Sequence, residues 1–189
     1  MKPLISAALC CALLPAAAMA DWQLTQPSEV SFVSFKNTHL AENHRFEHLQ
    51  GSVSSSGEAL VRIDLSSIDS GIPVRDGRMR ELLFQVGDFS HAEIRAAIPA
   101  AVLNTDTPQP YELQGQLALH GNQESFRTTV MVTPAADGTT TVNSLTPVLV
   151  HADSFALSRG IRELRDIAKL DSIAEVVPVS FSLTFKPAN

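Results

Sequence analysis

Cysteine is confined to the start of the 189-residue chain, at Cys10 and Cys11. Both lie in a segment with the layout of a cleaved export signal. Lys2 is a short basic start, Leu4 to Leu14 is apolar, and Ala18-Met19-Ala20 reads small-x-small at the cut. The expectation is a signal peptide over 1–20, cleaved after Ala20, and a periplasmic mature chain over 21–189. Such a chain has no thiol. Disulfides, thiolate metal centres and cysteine nucleophiles are therefore excluded, although an exported compartment permits disulfides.

Basic clusters are scarce as well. The chain carries 14 Lys and Arg against 20 Asp and Glu, a net charge of -6. Lys2 is the only charged residue of the signal, so the mature chain would carry -7. An acidic chain without a basic run cannot hold a polyphosphate backbone, which argues against nucleic acid as a partner. After Ala20, no apolar stretch approaches the roughly 18 residues a membrane-spanning helix needs.

Catalytic signatures are missing too. No Gly-x-Ser-x-Gly elbow, Gly-rich phosphate loop or His-Glu-x-x-His helix occurs, and the acidic residues are scattered. No catalytic residue, metal or cofactor is assigned, and the chain is not read as an enzyme. His39, His44 and His48 lie close in sequence. On a strand His44 and His48 share a face but stand about 13 Å apart. That is too far for one ion with ligand bonds near 2 Å. They read as exposed or interfacial histidines.

What the chain has is period-two alternation. Ala59, Val61, Ile63 and Leu65 alternate with Leu60, Arg62, Asp64 and Ser66. Tyr111, Leu113, Gly115, Leu117 and Leu119 alternate with mostly polar neighbours, as do Val177, Val179, Phe181, Leu183 and Phe185. Each reads as a strand with one apolar and one wet face, the antiparallel pattern. Further strands are expected over 30–38, 45–54, 92–97, 125–133 and 139–150. Turns are expected at Gly57, over 120–123 and at Asp137-Gly138. Two segments turn helical: 73–84, and 160–170 with the stripe Ile161, Leu164, Ile167 and Ala168. Arg75-Asp76 reads as a helix-end and packing device. One all-β domain with minor helix follows: an antiparallel barrel of about eight strands, with two short helices over its openings. Such a barrel is either filled by its own side chains or holds one slender ligand, and alternation does not separate these outcomes.

Several segments resemble the YceI-like family of exported bacterial proteins that bind lipids and polyisoprenoids. Tyr111-Glu112-Leu113-Gln114-Gly115-Gln116-Leu117-Ala118-Leu119-His120-Gly121 is similar to the family's Tyr-x-apolar-x-Gly-x-Leu-Thr-apolar-basic-Gly strand and turn. Ser67-Ile68-Asp69-Ser70 with Arg75-Asp76 resembles its Ser-Ile-Asp-Thr and Arg-Asp segment, and Phe46 to Gly51 its Phe-x-x-Phe-x-Gly strand. Trp22 stands where the family's first strand usually starts. His44 replaces a small glycine, and the helix over 160–170 sits where many members have a short connection.

The resemblance implies a lipocalin-like barrel with an apolar channel for one isoprenoid, quinone or fatty chain, held for sequestration or transport. The lining expected on that basis is Val61, Ile63, Leu113, Leu117, Val179 and Phe181, with Ile161 and Leu164 facing the ligand from the helix at the mouth. The alternative is a filled barrel that works with a membrane electron-transfer or quinone-linked partner. A homodimer stays open.

Overall fold

The computed structural model describes residues 20–188, so the expected export signal up to Met19 lies outside the described residues. Among these, eleven strands form one antiparallel sheet. They are β1 (Ala20–Lys36), β2 (Leu40–Phe46), β3 (Leu49–Ser54), β4 (Glu58–Asp64), β5 (Ile68–Asp69), β6 (His91–Ala97), β7 (Gln109–Leu119), β8 (Asn122–Pro134), β9 (Thr140–Ser144), β10 (Val148–His151) and β11 (Val176–Pro187). Pairing of β1 with β11, from Trp22 opposite Pro187 to Phe32 opposite Val179, closes the sheet. Three rows are interrupted. β2 and β3 both lie along β1, β5 continues the row of β4, and β9 and β10 both lie along β11. The result is a lipocalin-like barrel of eight rows.

The interruptions have local causes. At the β2–β3 break, Ser67 Oγ accepts from His48 N at 3.0 Å and donates to Asp64 O at 2.6 Å. Asp64 Oδ1 accepts from Ser66 N at 2.9 Å, holding a single 3-10 turn between β4 and β5. Short polar side chains here offer the backbone partners that a regular ladder would have supplied. The expected strand over 45–54 is two strands for this reason, and the one over 139–150 breaks where Thr146 Oγ1 accepts from Thr129 N at 3.2 Å. β1 also begins at Ala20 rather than Val30. Its shift in register between Thr25 and Glu29 is bridged by Ser28 Oγ, which donates to Thr25 O and accepts from Thr184 N.

Alternation does set the faces. Val61, Ile63, Leu65, Leu113, Leu119, Phe181, Leu183 and Phe185 are all buried. The β7–β8 hairpin turns on two residues, His120 at φ 50° and Gly121 at φ 77°. Positive φ at both is what a two-residue turn of this hand requires.

The helices gather at the barrel ends. α1 (Pro73–Arg78) has Pro at its first turn, where the missing N–H costs nothing, and runs into a π-helical turn over Met79–Leu83. α2 (Ala100–Leu103) is an addition to the two helices expected. α3 (Ser158–Ala168) presses its start on that π turn: a Cβ on Gly160 would lie 2.4 Å from Leu82 O. Its stripe is only half buried. Ile161 is buried and Leu164 partly so, but Ile167 is 45% exposed.

Candidate functional site

The inward side chains leave three compartments in file along the barrel. The first, about 90 Å³, lies at the α2 end and is lined by Trp22, Val61, Val102, Tyr111, Leu113 and Leu183 among others. Among the described residues, the polar functions around it are Thr140 and the polar tips of Trp22 and Tyr111. The middle one, about 130 Å³, is lined by apolar side chains alone, including Ile63, Leu65, Leu117, Val148, Leu157 and Val179. Ile94, Phe126 and Phe181 line both and form the constriction between them. The third, about 150 Å³, lies between β1, β2, α1 and α3 and shares Phe32, Leu83, Ile161 and Val177 with the middle one.

All eight residues expected to line a channel face these compartments. Val61 and Leu113 lie at the α2 end; Ile63, Leu117 and Val179 lie in the middle. Phe181 stands between those two, Ile161 between the middle and the third, and Leu164 in the third. Sequence reasoning missed the constriction. Phe126 pairs with Gly115, where an added Cβ would lie 2.7 Å from the Phe126 ring and 2.9 Å from Arg95 O. Glycine inside a strand marks such a close approach, so Gly115 was the available signal.

The third compartment has a different chemistry. Its polar lining is Ser34, Lys36, His44, Arg75 and Arg78, and it reaches solvent at the exposed Arg78 and Ala168. His44 is a correction: it is 4% exposed rather than a surface histidine. It sits two residues before the buried Phe46 and so shares its inward face, against Phe32 at a ring separation of 4.9 Å. Its Nε2 lies 2.7 Å from Ser34 Oγ, while Nδ1 is buried without a partner. Burial, then the Arg75 charge, push its pKa down to about 4. Glu42 ties α1 to the barrel, accepting from Arg75 Nη1 at 2.5 Å and pairing with Lys36. Those two partners hold its carboxyl down at about 2.

α1 is anchored further by Arg75 Nε donating to Ser70 Oγ at 2.8 Å, and by Ser70 N donating to the buried Asp76 at 2.9 Å. Arg75-Asp76 is thus a packing device. His39 and His48 are exposed, and among the described residues no three His, Cys, Asp or Glu side chains gather as a metal ion would require.

Residues 22–185 match the YceI-like domain family. No curated protein matches the chain at a significant level. Among solved structures, a polyisoprenoid binding domain from Saccharophagus degradans is 34% identical, with a TM-score of 0.86 over 90% of this chain and 100% of that one. BcnA of Burkholderia cenocepacia is 24% identical, with a TM-score of 0.62 over 83% of this chain and 95% of its own. A YceI protein of Campylobacter jejuni shares the fold at 11% identity and a TM-score of 0.54, over 82% of this chain and 91% of its own.

Proposed function

The chain belongs to the YceI-like domain family, and on that premise we propose that it binds one long apolar chain, isoprenoid or fatty, along the barrel axis. The observation that carries this is the pair of apolar compartments, joined to a third of mixed lining, that share their dividing residues from Trp22 to Ile161. The polyisoprenoid-binding relative at 34% identity supports a prenyl cargo. Burial at about 25 cal/mol per Å² of apolar surface drives entry against the lost freedom of the chain.

The compartments, from about 90 to about 150 Å³, are at or below the roughly 150 Å³ that accommodates one benzene-sized group. Threading a chain of many carbons therefore requires Phe126 and Phe181, then Phe32 and Leu83, to turn aside on entry. Val61, Ile63, Leu113, Leu117, Val179 and Phe181 are the wall the chain would lie against, with Ile161 and Leu164 at the mouth. Export by the 1–20 signal to the periplasm, and a role in sequestration or transport rather than catalysis, belong to the same reading.

The tightness of the compartments favours one other reading, a filled barrel that works through a membrane electron-transfer or quinone-linked partner. Native mass spectrometry on untagged exported protein, followed by lipid extraction, separates the two. One discrete hydrophobic mass per chain is the expected result. A bare protein mass that persists after incubation with isoprenoids would establish the filled barrel instead.

A further inference from the structure

The two ends of the file differ in a way that assigns the ligand's polar end. Resting on the chain-binding reading, we propose that the compartment between β1, β2, α1 and α3 seats an oxyanionic head, a phosphate or a carboxylate. Arg78 supplies charge there, and His44 Nδ1 supplies a hydrogen bond. The charged residues lining this compartment are Lys36, Arg75 and Arg78, all cationic. Glu42, the nearby carboxylate, is engaged by both Lys36 and Arg75, and Asp76 is turned toward Ser70. One shared carboxylate opposes two cations, and Arg78 has no ion pair among the described residues. The local balance favours an incoming negative charge even though the chain as a whole is acidic.

His44 is the independent observation. Its side chain lines the compartment, is 96% buried by the 4% left exposed, and has Nδ1 unpartnered. Buried polar atoms are almost always satisfied, so an orphan at a cavity wall calls for a partner. When Ser34 Oγ–H donates to Nε2, the neutral ring carries its proton on Nδ1 and donates to a ligand oxygen. Phe32, Leu83, Ile161 and Leu164 place apolar walls beside His44, on the side that leads inward, while Arg78 stands where the compartment meets solvent. The tail then runs inward past Ile161 and Phe181 toward Trp22.

Trp22 is the single tryptophan and lines the far compartment, so its fluorescence reports tail arrival. Delipidated protein is titrated with geranylgeranyl phosphate, geranylgeraniol, palmitate and hexadecanol. Each anion is expected to bind about tenfold or more tightly than the alcohol of its chain, as charge-assisted hydrogen bonds outweigh neutral ones. Arg78→Gln and His44→Ala should each reduce that preference about threefold to tenfold, by weakening anion binding more than alcohol binding. Arg78 is exposed and outside the anchoring network, so its variant remains informative if His44→Ala fails to fold. A preference for the phosphate names a prenyl phosphate source; a preference for palmitate names a fatty acid. Equal binding of anions and alcohols, or variants that leave the preference intact, would overturn the head assignment while chain binding stands. Binding of none of the four would overturn both.

Discussion

The barrel has a dry end and a wired end. At the α2 end the wall is apolar apart from Thr140 and two aromatic tips, and stability there comes from packing. At the α1–α3 end a chain of polar contacts, Ser70–Arg75–Glu42–Lys36, fixes α1 to β1 and β2, and a buried histidine is left half satisfied. A barrel needs no such wiring merely to close, because β1–β11 pairing has done that already. On the proposed reading, the polar end is where a head is recognised and the dry end is where a tail comes to rest.

The largest blow to this contrast is to place a charge between the two ends. Leu117→Arg sets an unpaired guanidinium against the all-apolar middle compartment. It should abolish copurifying lipid and lower stability by roughly 3 kcal/mol or more. Lipid content unchanged by extraction assay would remove Leu117 from the wall.

Next comes Gly160→Ala, which disturbs only the wired end. Its Cβ meets Leu82 O at 2.4 Å and Leu83 Cα at 2.7 Å, so α3 must move off the π turn. Overpacking of this kind costs about 1–3 kcal/mol, seen as a lower melting temperature, while Trp22 emission stays as in the parent.

Acid should also act on the wired end. His44 is held at about 4 against an ordinary 6.5, so between those values the unfolded chain takes up a proton that the fold refuses. Stability from this site is full above about pH 6.5 and falls as pH drops toward 4, by roughly 3 kcal/mol. Glu42, held at about 2 against 4.5, adds its own loss only below about pH 4.5. Urea unfolding at pH 7.5 and pH 5 checks the slope, and His44→Phe should flatten it. The smallest effect is expected at the dry end. Thr140→Val completes an apolar wall and should leave stability within about 0.5 kcal/mol.

The two ends also differed in how far sequence could read them. Inner faces such as Val61–Ile63–Leu65 and Phe181–Leu183–Phe185 follow from alternation, because a strand's parity is local. His44 obeys the same parity with Phe46, yet a polar side chain close to His39 and His48 reads as exposed or interfacial. Lys36, His44, Arg75 and Arg78 meet only because the fold packs α1 against the end of β1 and the middle of β2, a contact that no local spacing announces. The break between β2 and β3 was likewise hidden, since its cause is Ser67, nineteen positions from His48. α2, at four residues, is too short to carry a period. The Phe126 constriction was legible in principle through Gly115.

The contrast between the two ends rests most directly on the orientation of the bound chain. Quenching of Trp22 by stearic acids carrying a doxyl group near the carboxyl or near the terminal methyl measures it directly. A head at Arg78 and His44 with the tail at the α2 end predicts stronger quenching from the methyl-end label. Stronger quenching from the carboxyl-end label would place the head beside Trp22 and contradict the assignment of the two ends.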